Sequence, residues 1–151
     1  PQARKGDWPP ADFRGKEGEY AGFARPHTER TEEFNRIIRD RRIVSEAAPR
    51  RDDRVVANGE ALHRLLQRRG VLFLFYMGFA ANMCVPFRDY GMRAMKDRGY
   101  EVILLEDCTT AIEVEDTADD LLLSQACKID AALTIGYTLQ SGDLLAMCSE
   151  V

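Results

Sequence analysis

Long apolar runs, histidine clusters and paired cysteines are all missing from this 151-residue chain. Its longest unbroken apolar run, Val71 to Met77, falls far short of the roughly 18 to 20 residues that a membrane span needs, and Pro1 to Pro10 hold no signal-peptide core. Histidine is confined to His27 and His63, and Cys84, Cys108, Cys127 and Cys148 include no Cys-x-x-Cys pair. A zinc site and a disulfide framework therefore lack ligands, and no metal or cofactor is expected. A reducing, cytoplasmic setting is the default that follows. No Gly-x-Gly-x-x-Gly follows any candidate strand, which removes the usual dinucleotide fingerprint.

What is present is ordinary globular composition, 45% hydrophobic and 30% charged, in a length suited to one core. A net charge of −4 argues against nucleic acid as partner. Seventeen of the 21 cations are arginine, and seven of them crowd between Arg36 and Arg54, the pattern of a solvated face or of an anion or partner contact.

Taken in order, residues 1–27 read as an extended arm, rich in glycine and proline, whose aromatics Trp8, Phe13, Tyr20 and Phe23 follow no sustained period. Residues 28–151 read as the folded domain. Thr28 or Thr31 opens a helix to about Asp40, Arg54 to Ala57 is a candidate short strand, and Asn58 caps a helix with Ala61, Leu62, Leu65 and Leu66 on one stripe, closed by Gly70. His63 lies at the edge of that stripe.

Val71 to Met77, closed by Gly78, has the pattern of a strand buried on both faces, as in a parallel sheet. A turn then delivers Cys84, with Pro86 tolerated in a first helical turn and a helical pattern running to Gly99, where Val85, Met92 and Met95 face the core. A thiol at such a strand-to-helix junction meets unpaired amides that favour thiolate over thiol. Tyr100 to Asp107 is a second buried strand, ending in Glu106 and Asp107 on the sheet edge where α/β folds collect ligands. Asp107 reads either as a pocket residue or as the cap of the turn from Cys108 to Ala111. A helix from Asp116 to Asp130 with Leu121, Leu122, Ala126 and Ile129 inward, a last strand over Ala131 to Ile135, and a terminal helix from Ser141 complete an α/β alternation. A Cys-x5-Arg phosphatase loop is excluded, because Arg88 follows Cys84 by only four positions, and a phosphoacceptor Asp107 lacks its early acidic pair.

The run Gly78-Phe-Ala-Ala-Asn-Met-Cys-Val85, the helix carrying Arg93-Ala94 and Arg98-Gly-Tyr100, and Glu101-Val-Ile-Leu-Leu-Glu-Asp107 with Thr109-Thr-Ala111 resemble the isochorismatase-like cysteine hydrolases, the superfamily that includes nicotinamidases. The resemblance is specific over about Leu62 to Glu113. It implies a three-layer, Rossmann-like parallel sheet and a Cys nucleophile working beside an Asp and a Lys. Carried over, Cys84 matches the nucleophile, the amides at Ala80 or Ala81 and Cys84 match the oxyanion hole, and a cis peptide falls at Phe79-Ala80. Asn82 and Asp107 stand as pocket residues.

Departures accompany the match, among them Ala81 where the family's loop usually has Thr. No apolar strand ending in Asp precedes Thr28, Val55-Val-Ala-Asn58 replaces the strand bearing the Lys, and the nicotinamidase metal set is absent. The sheet would then lack its first strand and leave the Val71 strand with a bare edge, an aggregation hazard unless an upstream segment, the arm or another subunit covers it. The expected function is cysteine-dependent hydrolysis of an amide C–N bond in a small molecule through a covalent Cys84 intermediate, by a homo-oligomer with no nucleic-acid or membrane partner. The alternative is a catalytically impaired relative serving in binding or assembly.

Overall fold

The computed structural model describes residues 8–24, 29–40 and 42–149. The chain divides into two compact units, Pro1–Arg50 and Arg51–Val151. The first is helical where described. α1 (Ala11–Gly15) and a 3-10 turn (Gly18–Phe23) occupy the stretch expected as an extended arm, followed by α2 (Glu29–Asp40) and a second 3-10 turn (Ser45–Ala47). Local aromatic contacts account for the compaction of α1: Phe13 and Tyr20 meet edge to face at 5.2 Å, and Lys16 Nζ lies 3.6 Å above the Phe13 ring.

The second unit holds the sheet. α3 (Gly59–Arg69) begins at Asn58, whose Oδ1 accepts from the Ala61 amide at 2.8 Å, and stops at Gly70, whose φ of 64° is the left-handed turn glycine tolerates. Residues 54–57 form no strand. Three parallel strands follow in the order β1 (Phe73–Phe79), β2 (Glu101–Thr110), β3 (Tyr137–Leu139). Between them lie α4 (Cys84–Phe87), α5 (Met92–Asp97), and α6 (Leu122–Asp130) running into a π-helical turn at Ala131–Ile135; α7 (Ser141–Ser149) follows β3 and lies against β2. This is the α/β class with a parallel sheet flanked by helices.

The core is a cluster of Leu66, Val85, Met92, Met95, Val102, Leu104, Ala131 and Ile135, with Leu74 and Tyr76 of β1 packed against it. Tyr76 donates its hydroxyl to the Tyr90 carbonyl at 2.9 Å, and burial pushes its pKa up to about 12. The other face of β1 corrects the two-sided burial read from its apolar run. Phe73, Phe75, Met77 and Phe79 alternate onto one side and are exposed, Phe73 by 60% and Phe79 by 64%. β1 is the edge strand, so it has one neighbour and, within this unit, one covered face.

Two further expectations fail for local reasons. Ala131 to Ile135 is not a strand but the continuation of α6, which a short apolar run cannot reveal by periodicity. Gly136 ends it by passing so close to β2 that a Cβ there would lie 2.2 Å from the Val102 carbonyl oxygen. On α6, Leu121, Leu122 and Ile129 are exposed and Ser124 is buried. The left-handed Leu121 (φ 52°) restarts the helix at Leu122 and rotates the face that meets the sheet.

No helix among the described residues is long and apolar enough to cross a membrane.

Candidate functional site

The loop after β1 is held by backbone bonds before any side chain contributes. Met83 and Val85 both donate their amides to the Ala80 carbonyl at 3.1 Å, and Ala81 donates to the Thr110 carbonyl at 2.8 Å. The Phe79–Ala80 peptide is cis. Ala80 and Ala81 are buried, while Phe79 faces outward at the end of β1. The Ala81 amide is thus committed to tying the loop to β2. Of the amides proposed for an oxyanion, those of Ala80 and Cys84 remain.

Asn82 makes the second tie. Its Nδ2 donates to the Ile112 carbonyl and its Oδ1 accepts from the Ile112 amide, each at 3.0 Å, so both ends of the side-chain amide engage one residue beyond β2. Cys84, half-buried and unpaired, is the first residue of α4. That helix spans four residues rather than running to Gly99. It breaks because Gly91 turns back to donate to the Arg88 carbonyl at 2.8 Å, while the Asp89 carboxylate reaches across to the Gly59 amide, also at 2.8 Å.

Asn82, Met83, Cys84, Phe87 and Arg88 line an open cavity of about 430 Å³. The one turn of α4 sets Arg88 four residues beyond the cysteine, its amide donating to the Cys84 carbonyl at 3.3 Å. Its side chain lines the same cavity as the Cys84 thiol. Hydrogen bonding to Cys84, then the charges of Cys84, Tyr90 and Asp89, push the Arg88 pKa above its already high ordinary value. The sequence spacing excludes this arginine from a phosphatase loop and, by itself, assigns it no other role. The available signal was the i, i+4 relation on a helical turn, which stacks the two side chains on one side.

Asp107 is not in this cavity. Register explains why. Tyr76 pairs with Leu104 and Gly78 with Thr109, so β2 spends four residues, Leu105 to Cys108, where β1 spends Met77 alone. The surplus carries Glu106 and Asp107 towards the start of α7. Gln140 Nε2 donates to Glu106 at 2.7 Å; the Asp107 carboxylate accepts from the Ser141 amide at 2.8 Å and from the Ser141 hydroxyl, and these bonds lower its pKa. Asp107 therefore caps the start of α7.

Among the described residues, the cavity lining contains no lysine and no carboxylate. Lys96 donates to the Thr134 carbonyl at 3.3 Å, and Asp12 accepts from the Phe13 amide within α1. His63 is engaged with the Tyr100 hydroxyl at 2.8 Å. Among the described residues, no group of three or more His, Cys, Asp or Glu is placed to hold a metal ion.

The fold is similar to that of a cysteine hydrolase from Pseudomonas syringae pv. phaseolicola 1448A, with a TM-score of 0.61 and 19% identity over 82% of this chain and 65% of that one. The chain thus spans a little under two thirds of that hydrolase's length, and at this identity the likeness speaks for the fold alone. No curated protein matches the chain. A family model for the isochorismatase domain matches residues 18–127, well over half the length, and the chain belongs to that family.

Proposed function

We propose that the protein is a cysteine-dependent hydrolase acting on an amide C–N bond of a small molecule through a covalent Cys84 intermediate. The observation that carries this reading is the thiol in an open cavity whose lining also carries the Arg88 guanidinium. A cation in that place is an electrostatic partner for a thiolate, the nucleophilic form of cysteine. The sulfur adds to the carbonyl carbon while the π pair moves to oxygen, where the Ala80 and Cys84 amides are the candidate donors. Collapse breaks the C–N bond, the amine leaves with a proton from solvent, and water cleaves the thioester to return acid and thiol.

One observation favours the alternative, a binding or assembly role. Among the described residues neither a carboxylate nor a lysine lines the cavity, and removing members of a catalytic unit commonly costs orders of magnitude in rate.

Alkylation separates the two readings. As a hydrolase, Cys84 alkylates rapidly near neutral pH, and Cys84→Ala abolishes release of ammonia or amine from a panel of small amides. Labelling of Cys84 as slow as that of half-buried Cys127, whose thiol burial pushes up in pKa, with no amide turned over, leaves the binding role.

A further inference from the structure

We propose that Arg88 is an anion clamp, so that the cavity takes a small amide with an apolar body and a carboxylate close to the carbonyl that Cys84 attacks. This rests on the hydrolase reading for the attack and on the cavity alone for the clamp.

The five lining residues leave few ways to recognise a ligand. Asn82 has both ends of its amide engaged by Ile112. Met83 and Phe87 are exposed by 53% and 65%, large apolar surfaces left open beside the thiol. The polar group that remains, apart from Cys84 itself, is the Arg88 guanidinium. Its neighbour Asp89 is drawn off to the Gly59 amide, and among the described residues no carboxylate comes within ion-pair distance of Arg88. A guanidinium presents a flat fork of donors that fits a carboxylate with two parallel bonds. One guanidinium balances one negative charge, which matches a carboxylate and leaves a phosphate dianion half-compensated.

The same arrangement explains how a substrate anion could find room. Before reaction the guanidinium shares the cavity with the thiolate, and as the C–S bond forms the sulfur gives up its negative charge. That charge passes to the carbonyl oxygen, and the fork then serves the substrate carboxylate alone. Met83 and Phe87 would flank the body of the ligand, since apolar surface around an ion pair strengthens it by lowering the local dielectric.

A pair of alkylating reagents tests the clamp without any turnover. Iodoacetate and iodoacetamide attack the same thiolate and differ in charge, so the ratio of their rates at Cys84 cancels whatever Arg88 does to thiol reactivity. Rates are read residue by residue by peptide mass spectrometry, with exposed Cys108 as internal reference. In Arg88→Gln the iodoacetate-to-iodoacetamide ratio at Cys84 falls by about tenfold, the scale of one charge-assisted hydrogen bond, and the ratio at Cys108 is unchanged. Arg88→Lys retains most of the preference. In the unaltered protein, benzoate slows alkylation of Cys84 by iodoacetamide more than benzamide does. An unchanged ratio in Arg88→Gln, or equal protection by benzoate and benzamide, overturns the clamp. A protein that turns over no amide yet keeps the reagent preference loses the hydrolase reading and keeps the clamp. One that hydrolyses neutral amides without any preference for the charged reagent loses the clamp alone.

Discussion

Replacing Asn82 probes how the nucleophile loop is held, because its side chain makes two opposed bonds to a single residue. Oδ1 accepts from the Ile112 amide and Nδ2 donates to the Ile112 carbonyl, each at 3.0 Å. A neutral hydrogen bond contributes about 0.5–1.5 kcal/mol net, and these two are exposed, so Asn82→Ala should destabilise the protein by about 1–2 kcal/mol. Asn82→Asp is the sharper test. It keeps the acceptor for the Ile112 amide and sets a second acceptor against the Ile112 carbonyl, where a donor is required. At pH 7 the aspartate variant should therefore be about as unstable as the alanine variant, despite being isosteric with the native residue.

Acid reverses this. Protonating the introduced carboxyl supplies the missing donor, so the folded state favours the protonated form and raises its pKa above the unfolded value of about 3.9. The recovered stability is fully present below about pH 3.9 and is lost as pH rises through the folded value. Urea titrations at pH 7 and pH 3.5, with the alanine variant as control for general acid effects, measure the difference. Hydrogen exchange adds an independent reading, since the Ile112 amide should stay protected in Asn82→Asp and lose protection in Asn82→Ala. An aspartate variant as stable as the native protein at pH 7, with no gain on acidification relative to alanine, would refute the donor half of the tie.

Three other substitutions follow from the same structure. Glu113 accepts from the amides of Leu123 and Ser124 at 3.1 and 2.8 Å and from the Ser124 hydroxyl at 2.7 Å; lost hydration raises its pKa, but the bonds from Ser124, Thr117 and Leu123 prevail and bring it to about 2. Its contribution is thus present above pH 4.5 and lost as pH falls towards 2, so the difference in urea midpoint between Glu113→Gln and the native protein should be largest at neutral pH and vanish near pH 2. Asp107→Ala should raise hydrogen exchange over the first turn of α7 and leave the alkylation rate of Cys84 unchanged, whereas a pocket role for Asp107 would change that rate. Gly136→Ala should cost about 1–3 kcal/mol or more in urea denaturation, because its Cβ would lie 2.2 Å from a backbone oxygen that cannot rotate away.

The parts of this fold that were legible are those whose signal is local. Asn58 and Gly70 bracket α3 because cap chemistry needs only a neighbouring backbone, and Met92 and Met95 reach the core because helical spacing within α5 places them on one side, while Val85 reaches it from the separate α4. Burial of β1 was not legible. Phe73, Phe75, Met77 and Phe79 are as apolar as the residues that alternate with them, and whether a face is covered depends on elements distant in sequence. Ala131 to Ile135 failed for a related reason, since an apolar pentapeptide continues whatever precedes it unless something stops it, and Gly136 stops it only where Val102 comes close.

The two carboxylates and the arginine make the same contrast at the site. Glu106 and Asp107 end a strand whose sequence is regular, and strand alternation alone would carry them to the edge beside Cys84. The surplus of β2 over β1 between Leu104 and Thr109 is a property of the pair, and no single strand encodes it. It moves both carboxylates towards the start of α7, which is why neither is among the described residues that line the cavity. Arg88 arrives by the opposite route, through a four-residue helix that is entirely local. A cation in the Cys84 cavity with no ion-pair partner among the described residues is therefore the joint result of one long-range offset and one short-range turn. Restoring a carboxylate to that cavity would be expected to weaken any anion held there, however intact the thiol.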